Sequence, residues 1–276
     1  MNAAATRAMS AEEALTQIAE DACASGNEAD AAYFAGQQAR YAHGLRRLTE
    51  LLPTGAHVLD IGSHYVHLAA MVARCGYRVT GLDVPQLAEL EFVQERAAKY
   101  GLRNKCEPDL CAGAFLPGED GMYDTVLFCE VIEHLACNPV RLWKRIYQLL
   151  RPGGCVYLTT PNALAFRNLW PSLRRLVLLR GSGARVKAIL ENPTYGHHWK
   201  EYTAPELREY FARLSPDWQV EVDFLRMAEA RAGKRMRTRD RLQRMFDIFP
   251  QLREHLEAVV RLPEKTAWTA EAPGFA

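Results

Sequence analysis

The chain has 276 residues, of which 49% are hydrophobic, and its formal net charge is +1 at pH 7. This length suits one α/β domain with an accessory helical part, and the near-neutral charge gives no global attraction to nucleic acid or membrane. No apolar run reaches the roughly 18 residues of a membrane span, and the N-terminal segment does not have the pattern of a secretory signal.

The first predicted elements are two helices. Ser10 and Glu13 have the spacing of a capping box that starts a helix, and Gly26-Asn27 ends it. A second helical pattern follows over about residues 28–52, with aromatic and aliphatic residues near helical spacing. We therefore predict that residues 1–52 form an N-terminal helical cap.

From residue 57 onward, strand patterns alternate with helix patterns. The predicted strands cover 57–61, 78–83, 103–107, 123–129 and 155–159, and the predicted helices cover 68–75, 87–100 and 139–150. This alternation predicts an α/β fold, namely a Rossmann-like, doubly wound and mostly parallel sheet covered by helices on both faces.

After Pro161 the pattern becomes less regular. A helical insert is predicted at about 163–200, then a helix over 204–214 with Thr203 as its N-cap, and a sixth strand over 218–225. Residues 226–262 look helical and strongly charged, without a clear seventh strand. We therefore divide the chain into the cap, a main domain over 53–225 and a charged C-terminal helical extension over 226–276.

The seven cysteines are scattered, and no pair has Cys-x-x-Cys spacing. Such a pattern favours neither a disulfide framework nor a closed zinc site. We therefore expect small core cysteines in a reducing, cytoplasmic environment.

Acidic residues end the first two predicted strands, in the segments Asp60-Ile-Gly-Ser-His-Tyr-Val-His67 and Gly81-Leu-Asp83. In an open parallel sheet, ligands lie beyond the carboxyl ends of the strands. The two aspartates are 23 positions apart, which matches the spacing of a carboxylate that binds ribose hydroxyls. The alternative reading is that both are strand-end acids that cap the following helices.

The glycine pattern narrows the choice of nucleotide. A dinucleotide fingerprint would need glycine where His64 and His67 stand, and side chains there would obstruct a pyrophosphate. A Walker-type Gly-Lys-Ser/Thr sequence is also missing. The pattern favours a nucleoside ligand without phosphates and disfavours a dehydrogenase.

Four segments in this order resemble the class I S-adenosylmethionine-dependent methyltransferases: Val58–Gly62, Gly81–Asp83, Tyr123–Leu135, and Leu149–Gly154 followed by Thr160–Asn162. A further stretch, His198-Trp-Lys-Glu-Tyr-Thr203, resembles the branch that includes quinone and sugar methyltransferases. The resemblance implies that S-adenosyl-L-methionine is the cofactor.

The resemblance also implies cofactor-binding residues. They are Asp60, Gly62 and Ser63 around the methionine part, Asp83 on the ribose hydroxyls, Asp109 at the adenine amino group, and Glu130 facing the methionine part and the acceptor pocket. The family usually has glycines where His64 and Val66 stand. A side chain there has a steric cost if the loop needs a positive φ, so either the loop is shaped differently or cofactor affinity is altered.

Acceptor-side roles fall on two polar stretches, Glu130–His134 and Tyr195–Tyr202. We predict His198 first and His134 second as the general base, because a histidine titrates near neutral pH. We further predict that His197, Tyr202 and Asn162 contact the acceptor. Adjacent histidines rarely chelate one ion, so no metal is predicted. The alternative readings are a helix-start cap and a polar loop over the pocket.

One stretch of the chain is strongly basic. Between Glu133 and Glu191 there are ten Lys or Arg residues and no Asp or Glu. Such a segment either lies on a membrane surface or an anionic acceptor, or is a solvated helix face. The basic run Lys234–Arg241 lacks interleaved aromatics, so we predict no nucleic-acid partner.

We accordingly predict a methyltransferase that O-methylates a sugar or glycan hydroxyl. A quinone-type, phenolic or amine small molecule is the alternative acceptor. A non-catalytic cofactor-binding or partner-binding module is the alternative from a different class. The predicted location is cytoplasmic, with peripheral contact at the inner membrane face through the basic insert as an open alternative.

Overall fold

The computed structural model describes residues 8–179, 186–191, 193–226 and 238–274. Arg180 and Arg185 of the basic insert and residues 234–237 of the C-terminal basic run lie outside them. The described residues form ten α-helices: α1 (Ala11–Ala24), α2 (Glu28–Leu51), α3 (His67–Arg74), α4 (Pro85–Ala88), α5 (Glu91–Lys99), α6 (Val140–Leu149), α7 (Phe166–Val177), α8 (Val186–Glu191), α9 (Ala204–Leu214) and α10 (Thr238–Phe246).

Within the described part of the chain, seven strands form one sheet in the order β3-β2-β1-β4-β5-β7-β6. They are β1 (His57–Ile61), β2 (Arg78–Asp83), β3 (Arg103–Cys106), β4 (Tyr123–Cys129), β5 (Leu150–Pro161), β6 (Gln219–Leu225) and β7 (His255–Leu262). Strand β1 pairs in parallel with β2 and β4, and β2 pairs in parallel with β3. Strand β7 is antiparallel to both β5 and β6. The Rossmann-like, mostly parallel sheet with flanking helices is therefore confirmed.

The chain divides into two compact units. Unit 1 runs to Asp109 and includes residues 122–127, and unit 2 comprises residues 110–121 and the rest of the chain from Phe128. The three-part division of the sequence analysis stays a prediction.

In unit 1, the predicted capping box starts α1. The Ser10 side chain accepts a hydrogen bond from the Glu13 N–H at 3.2 Å, and the Glu13 carboxylate accepts one from the Ser10 N–H at 2.8 Å. Every residue of β1 is buried, as expected for a strand covered on both faces. The predicted helix over 87–100 is instead two helices, α4 and α5, separated at Glu89-Leu90.

In unit 2, a strand forms where the sequence analysis expected helix. Residues 255–262 are β7, so the helical prediction for this part of the C-terminal segment is wrong. The β-branched residues Val259 and Val260 are at most 2% exposed, between β5 and β6. Val has a high strand propensity. Its burial between two strands stabilises residues 255–262 as a strand, although the residues before them have a charged, helical pattern.

A disulfide joins Cys111 to Cys137 in unit 2, with their Cα atoms 6.4 Å apart. The expectation of reduced cysteines is wrong for this pair. The separation of 26 positions between the two cysteines matches no spacing signature, because disulfide connectivity depends on how the chain folds back. Among the described helices, none has both the length and the apolarity that crossing a membrane requires.

Candidate cofactor and acceptor sites

The loop between β1 and α3 in unit 1 has a left-handed backbone at alternate positions. Gly62 has φ +75°, His64 has φ +49° and Val66 has φ +51°. For a non-glycine residue this conformation costs about 1–2 kcal/mol. The loop therefore does need positive φ where the methyltransferase family has glycine, and His64 and Val66 are strained.

Asp83, at the end of β2, is held by two backbone N–H groups. The N–H of His64 donates to Oδ2 at 2.6 Å and the N–H of Val84 donates to Oδ1 at 2.7 Å. The residue is 6% exposed, and burial raises the pKa of its carboxyl in spite of these two hydrogen bonds. Each oxygen keeps a second lone pair, so the carboxylate is a fixed acceptor of the kind that a ribose diol needs.

Asp60, near the end of β1, is a buried acid in the same unit, with 3% exposure. Burial, and next the negative charge of Asp83, raise the pKa of Asp60 to about 8. A carboxyl in such surroundings ionises readily only when a cation is brought to it. The methionine part of S-adenosylmethionine carries an ammonium group, so its chemistry fits this position.

Two more polar groups of the loop are buried without a hydrogen-bond partner, namely Ser63 Oγ and His64 Nδ1. Ser63 lies against Gly81 of β2, where an added Cβ would be 3.2 Å from Ser63 Oγ. Unpaired buried polar atoms are uncommon in folded proteins. Together with Asp60 and Asp83, they fit a ligand that carries both hydrogen-bond donors and acceptors.

Asp109, predicted at the adenine amino group, is exposed after β3, and its N–H donates to the Glu107 carboxylate at 3.1 Å. This contact belongs to the local turn, and the adenine role of Asp109 stays a prediction.

Helix α2 covers the same loop through contacts that sequence reasoning missed. The ring of Tyr33 stacks on that of His64 with centroids 4.0 Å apart and planes 13° apart. Asp30 lies 2.7 Å from Nε2 of His67 and accepts a hydrogen bond from Arg96 at 2.6 Å. Arg96 also donates to the carbonyl oxygen of Tyr65 at 2.9 Å. The N-terminal helices are thus tied to the loop by a buried polar network.

A second polar cluster lies in unit 2, after β4. The side chain of Glu133 is fully buried, and its Oε2 accepts a hydrogen bond from Thr160 Oγ1 at 3.0 Å. Burial, and next the charge of Glu130, raise the pKa of Glu133 to about 8. Burial and the neighbouring acid thus favour the protonated form of Glu133 compared with an exposed glutamate.

His134 is oriented by a backbone group. Its Nδ1 lies 3.0 Å from the carbonyl oxygen of His197, so in the neutral ring Nδ1–H donates and Nε2 carries the lone pair. Nε2 is 3.9 Å from Glu133 Oε1. Burial lowers the pKa of His134. A neutral ring with a free Nε2 is the form that a general base requires.

His198 lies next to His134, with the two rings edge to face and their centroids 4.8 Å apart. Its Nδ1 is 3.1 Å from the Glu201 carboxylate, and this hydrogen bond raises the pKa of His198. The side chain is 42% exposed. His198 is thus more readily protonated than His134, and the predicted ranking of the two histidines as general bases stays a prediction.

The same cluster could hold a cation. Glu133, His134 and His198 each offer a ligand atom, and these atoms lie within 4.8 Å of one another. Both histidines have Nδ1 hydrogen-bonded to an oxygen, an arrangement that is common for metal-binding histidines. The absence of a metal, predicted from the sequence, stays a prediction.

Glu130 and His255 add to this polar region. Glu130 has φ +56°, and its Oε1 is 3.5 Å from Nδ1 of His255, the first residue of β7. His255 was not predicted as a site residue because β7 was not predicted from the sequence. The buried valines of that strand are the signal that would have revealed it.

The three predicted acceptor-binding residues have structural contacts. The amide group of Asn162 donates to the carbonyl oxygens of Gln251 and Arg253, each at 2.8 Å. Tyr202 is paired with Asn162 through a backbone bridge, and the His197 ring is buried. Their contact with an acceptor stays a prediction.

Comparison with known proteins places these observations in a family. A family model described as a methyltransferase domain matches residues 33–218. A ubiquinone biosynthesis O-methyltransferase from Caulobacter vibrioides is 31% identical over 159 residues, which are 57% of this chain and 58% of that protein. One from Xanthomonas euvesicatoria is 31% identical over 160 residues, which are 57% of this chain and 60% of that protein. The chain thus matches less than two thirds of the length of these relatives.

Among solved structures, a SAM-dependent methyltransferase from Thermotoga maritima has the same fold. Its TM-score is 0.51 at 17% identity, over 84% of this chain and 93% of that one. The family model covers well over half of the chain. The chain therefore belongs to the methyltransferase-domain family, and its cofactor is the S-adenosylmethionine predicted from the sequence.

Proposed function

We propose that the protein is an S-adenosylmethionine-dependent O-methyltransferase whose acceptor is the hydroxyl of a quinone-type phenol. The observation that carries this proposal is the geometry of His134, a neutral imidazole with Nδ1 fixed by a carbonyl oxygen and Nε2 free beside Glu133. The names of the matching relatives, ubiquinone biosynthesis O-methyltransferases, support the same acceptor class.

The choice of a phenol over the sugar hydroxyl predicted first has a chemical reason. A phenol ionises near the tyrosine pKa of about 10, whereas an aliphatic hydroxyl ionises far higher. A histidine with a lowered pKa is a weak base, so it can accept a proton from a phenol much more easily than from a sugar hydroxyl. No relative named above is a sugar methyltransferase, so the quinone-type alternative replaces the sugar.

The chain's own residues have separate tasks. In unit 1, Asp60, Ser63 and Asp83 hold the cofactor, which supplies an electrophilic methyl group when bound. In unit 2, His134 Nε2 accepts the proton of the acceptor hydroxyl, and the His197 carbonyl oxygen stabilises the charge that develops on the ring. Glu133, held by Thr160, lies beside this ring, and its raised pKa favours the neutral carboxyl there.

We further propose that α7 lies on an anionic membrane surface. No described side chain of α7 is buried, and its apolar residues, at helical spacing, face solvent: Leu169, Trp170, Leu173, Leu176 and Val177. Arg174 is exposed on the same helix, which carries no acid. An exposed apolar face flanked by basic residues is typical of interfacial helices, and such contact would give access to an apolar, membrane-dissolved acceptor.

A transfer assay tests the proposed function. The purified protein is incubated with S-adenosylmethionine and, separately, with a catechol-type phenol, a sugar and an amine, and mass spectrometry detects the gain of one methyl group. Methylation of the phenol alone is expected. Transfer to the sugar or the amine but not the phenol would overturn the acceptor class, and failure to bind S-adenosylhomocysteine would overturn the activity itself.

A further inference from the structure

His64 has two unfavourable features at one position. Its backbone is left-handed, with φ +49°, and its Nδ1 is buried without a hydrogen-bond partner. Strain and unpaired buried polar atoms each destabilise a fold, and they are concentrated at binding sites. Both costs at one residue indicate that the imidazole contacts a ligand.

The ring is held in one orientation. Tyr33 on α2 stacks on one face at 4.0 Å, and the ring of Tyr65 lies 4.0 Å away at a tilt of 54°. Burial lowers the pKa of His64 to about 4, so the ring is neutral at physiological pH. A neutral imidazole offers one N–H donor, and here the aromatic neighbours fix its direction.

The two buried acids of the loop region, Asp60 and Asp83, leave the carboxylate of the cofactor's methionine part without a partner. That part carries an ammonium group and a carboxylate. Asp60 and Asp83 are both acids, and they suit the ammonium and the ribose hydroxyls but repel the carboxylate. The carboxylate needs an N–H or O–H donor. Ser63 Oγ lies against Gly81 of β2, whereas His64 lies under α2 and its buried nitrogen has no other task.

We propose that Nδ1–H of His64 donates a hydrogen bond to the carboxylate of the cofactor's methionine part, with Tyr33 fixing the ring. This inference rests on the proposed function, since it requires that cofactor. Together with Asp60, the loop would then recognise the ammonium and the carboxylate of the same amino-acid group.

The test compares two ligands by isothermal titration calorimetry. S-adenosylhomocysteine has the amino-acid group, and 5′-methylthioadenosine keeps the adenosine and the thioether but lacks it. His64→Ala should weaken binding of S-adenosylhomocysteine about tenfold, which is the loss of one hydrogen bond to a charged group, and leave binding of 5′-methylthioadenosine within about twofold.

Two variants separate this role from a structural one. His64→Asn should keep most of the affinity for S-adenosylhomocysteine, because asparagine tolerates the left-handed backbone and supplies an N–H donor. Val66→Gly is the matched control, since it changes the other strained residue of the loop and removes no polar group. It should leave the affinity ratio of the two ligands unchanged.

The outcomes that count against the inference are distinct. Suppose that the wild-type protein binds both ligands. The proposed hydrogen bond to the carboxylate is then overturned if His64→Ala weakens the binding of both ligands equally, or weakens the binding of neither. If His64→Gly, which relieves the backbone strain, binds S-adenosylhomocysteine as tightly as the wild type, it is overturned as well. A wild-type protein that binds neither ligand overturns the proposed function itself.

Discussion

Arg96 on α5 and Asp30 on α2 form an ion pair at 2.6 Å, and both side chains are at most 2% exposed. Hydrogen bonds from Arg96 outweigh the effect of burial and keep the pKa of Asp30 below its usual value. Because Arg96 also donates to the Tyr65 carbonyl oxygen, the pair joins the N-terminal helices to the cofactor loop.

Replacing one member of this pair should destabilise the protein strongly. Asp30→Asn leaves the buried Arg96 without its closest carboxylate, and removal of one partner from a buried pair typically costs about 3–5 kcal/mol. Asp21 still contacts Arg96 at 2.9 Å, so we expect the lower end of that range. Urea denaturation followed by circular dichroism measures the free energy of unfolding.

Glu50→Gln is the control for this measurement. It removes an exposed pair with Arg47 at 3.4 Å, which should change the free energy of unfolding by less than about 1 kcal/mol. Equal effects of the two substitutions would show that the buried network does not stabilise the cap.

Asp60 predicts a pH dependence of stability. Its pKa is raised from 3.8 to about 8 in the folded protein, so between these values the folded state binds more protons than the unfolded state. Wild-type stability should therefore fall as pH rises through this window. Asp60→Asn cannot titrate, so its melting temperature should exceed that of the wild type at pH 8 and approach it near pH 4.

The same substitution should weaken cofactor binding, since the ammonium loses its carboxylate. Asp120→Asn is a control, because Asp120 is a mostly exposed acid paired with Arg145 in unit 2. A melting-temperature difference between wild type and Asp60→Asn that stays constant from pH 4 to pH 8 would contradict the raised pKa.

The two histidines of unit 2 should differ in their effect on turnover. His134→Gln removes the neutral, oriented ring and should lower kcat about 10²–10⁴-fold, the usual contribution of a general base. His198→Gln should lower it less, because His198 is partly exposed and paired with Glu201. Both variants should bind S-adenosylhomocysteine as the wild type does, and steady-state methyl transfer at saturating cofactor measures the difference.

Chelation separates a base from a metal at this cluster. If His134 acts on the acceptor directly, dialysis against EDTA should leave kcat unchanged. Loss of activity that Mg²⁺ or Zn²⁺ restores would instead assign Glu133, His134 and His198 to a cation, and a His198→Gln effect larger than that of His134→Gln would reject His134 as the base.

Helix α7 should determine binding to membranes. We expect the protein to sediment with vesicles that contain phosphatidylglycerol, and less so as salt is raised. Leu173→Ser combined with Val177→Ser removes two exposed apolar side chains and should reduce binding several-fold. Met122→Ser, at an exposed apolar residue of unit 1, should have no effect, and unchanged binding of the α7 variant would contradict the proposal.

The parts of the fold that the sequence predicted have local signals. The alternation through β4, the Ser10 capping box and the strand-end acids Asp60 and Asp83 all follow from short-range patterns, and each is present in the structure. The family usually has glycine where His64 and Val66 stand, so strain was expected there if the loop needed a positive φ. Both residues do have a positive φ.

The parts that the sequence did not predict depend on contacts between distant residues. Strand β7 is stabilised by pairing with β5 and β6, and the disulfide joins residues that no motif relates. The oxygen that each Nδ1 of His134 and His198 contacts likewise depends on the fold. Burial and pairing of this kind are properties of the folded chain, and for β7 the local signal is limited to its two adjacent valines.

The position of β7 also constrains how the protein is made. Among the described residues, the strand that comes latest in the chain lies between β5 and β6, so those two strands cannot complete their hydrogen bonding while residues 255–262 are still inside the ribosome. Until then both strands have open edges, which are sites of aggregation. A stop codon before residue 255 would leave the facing edges of β5 and β6 permanently without their partner strand.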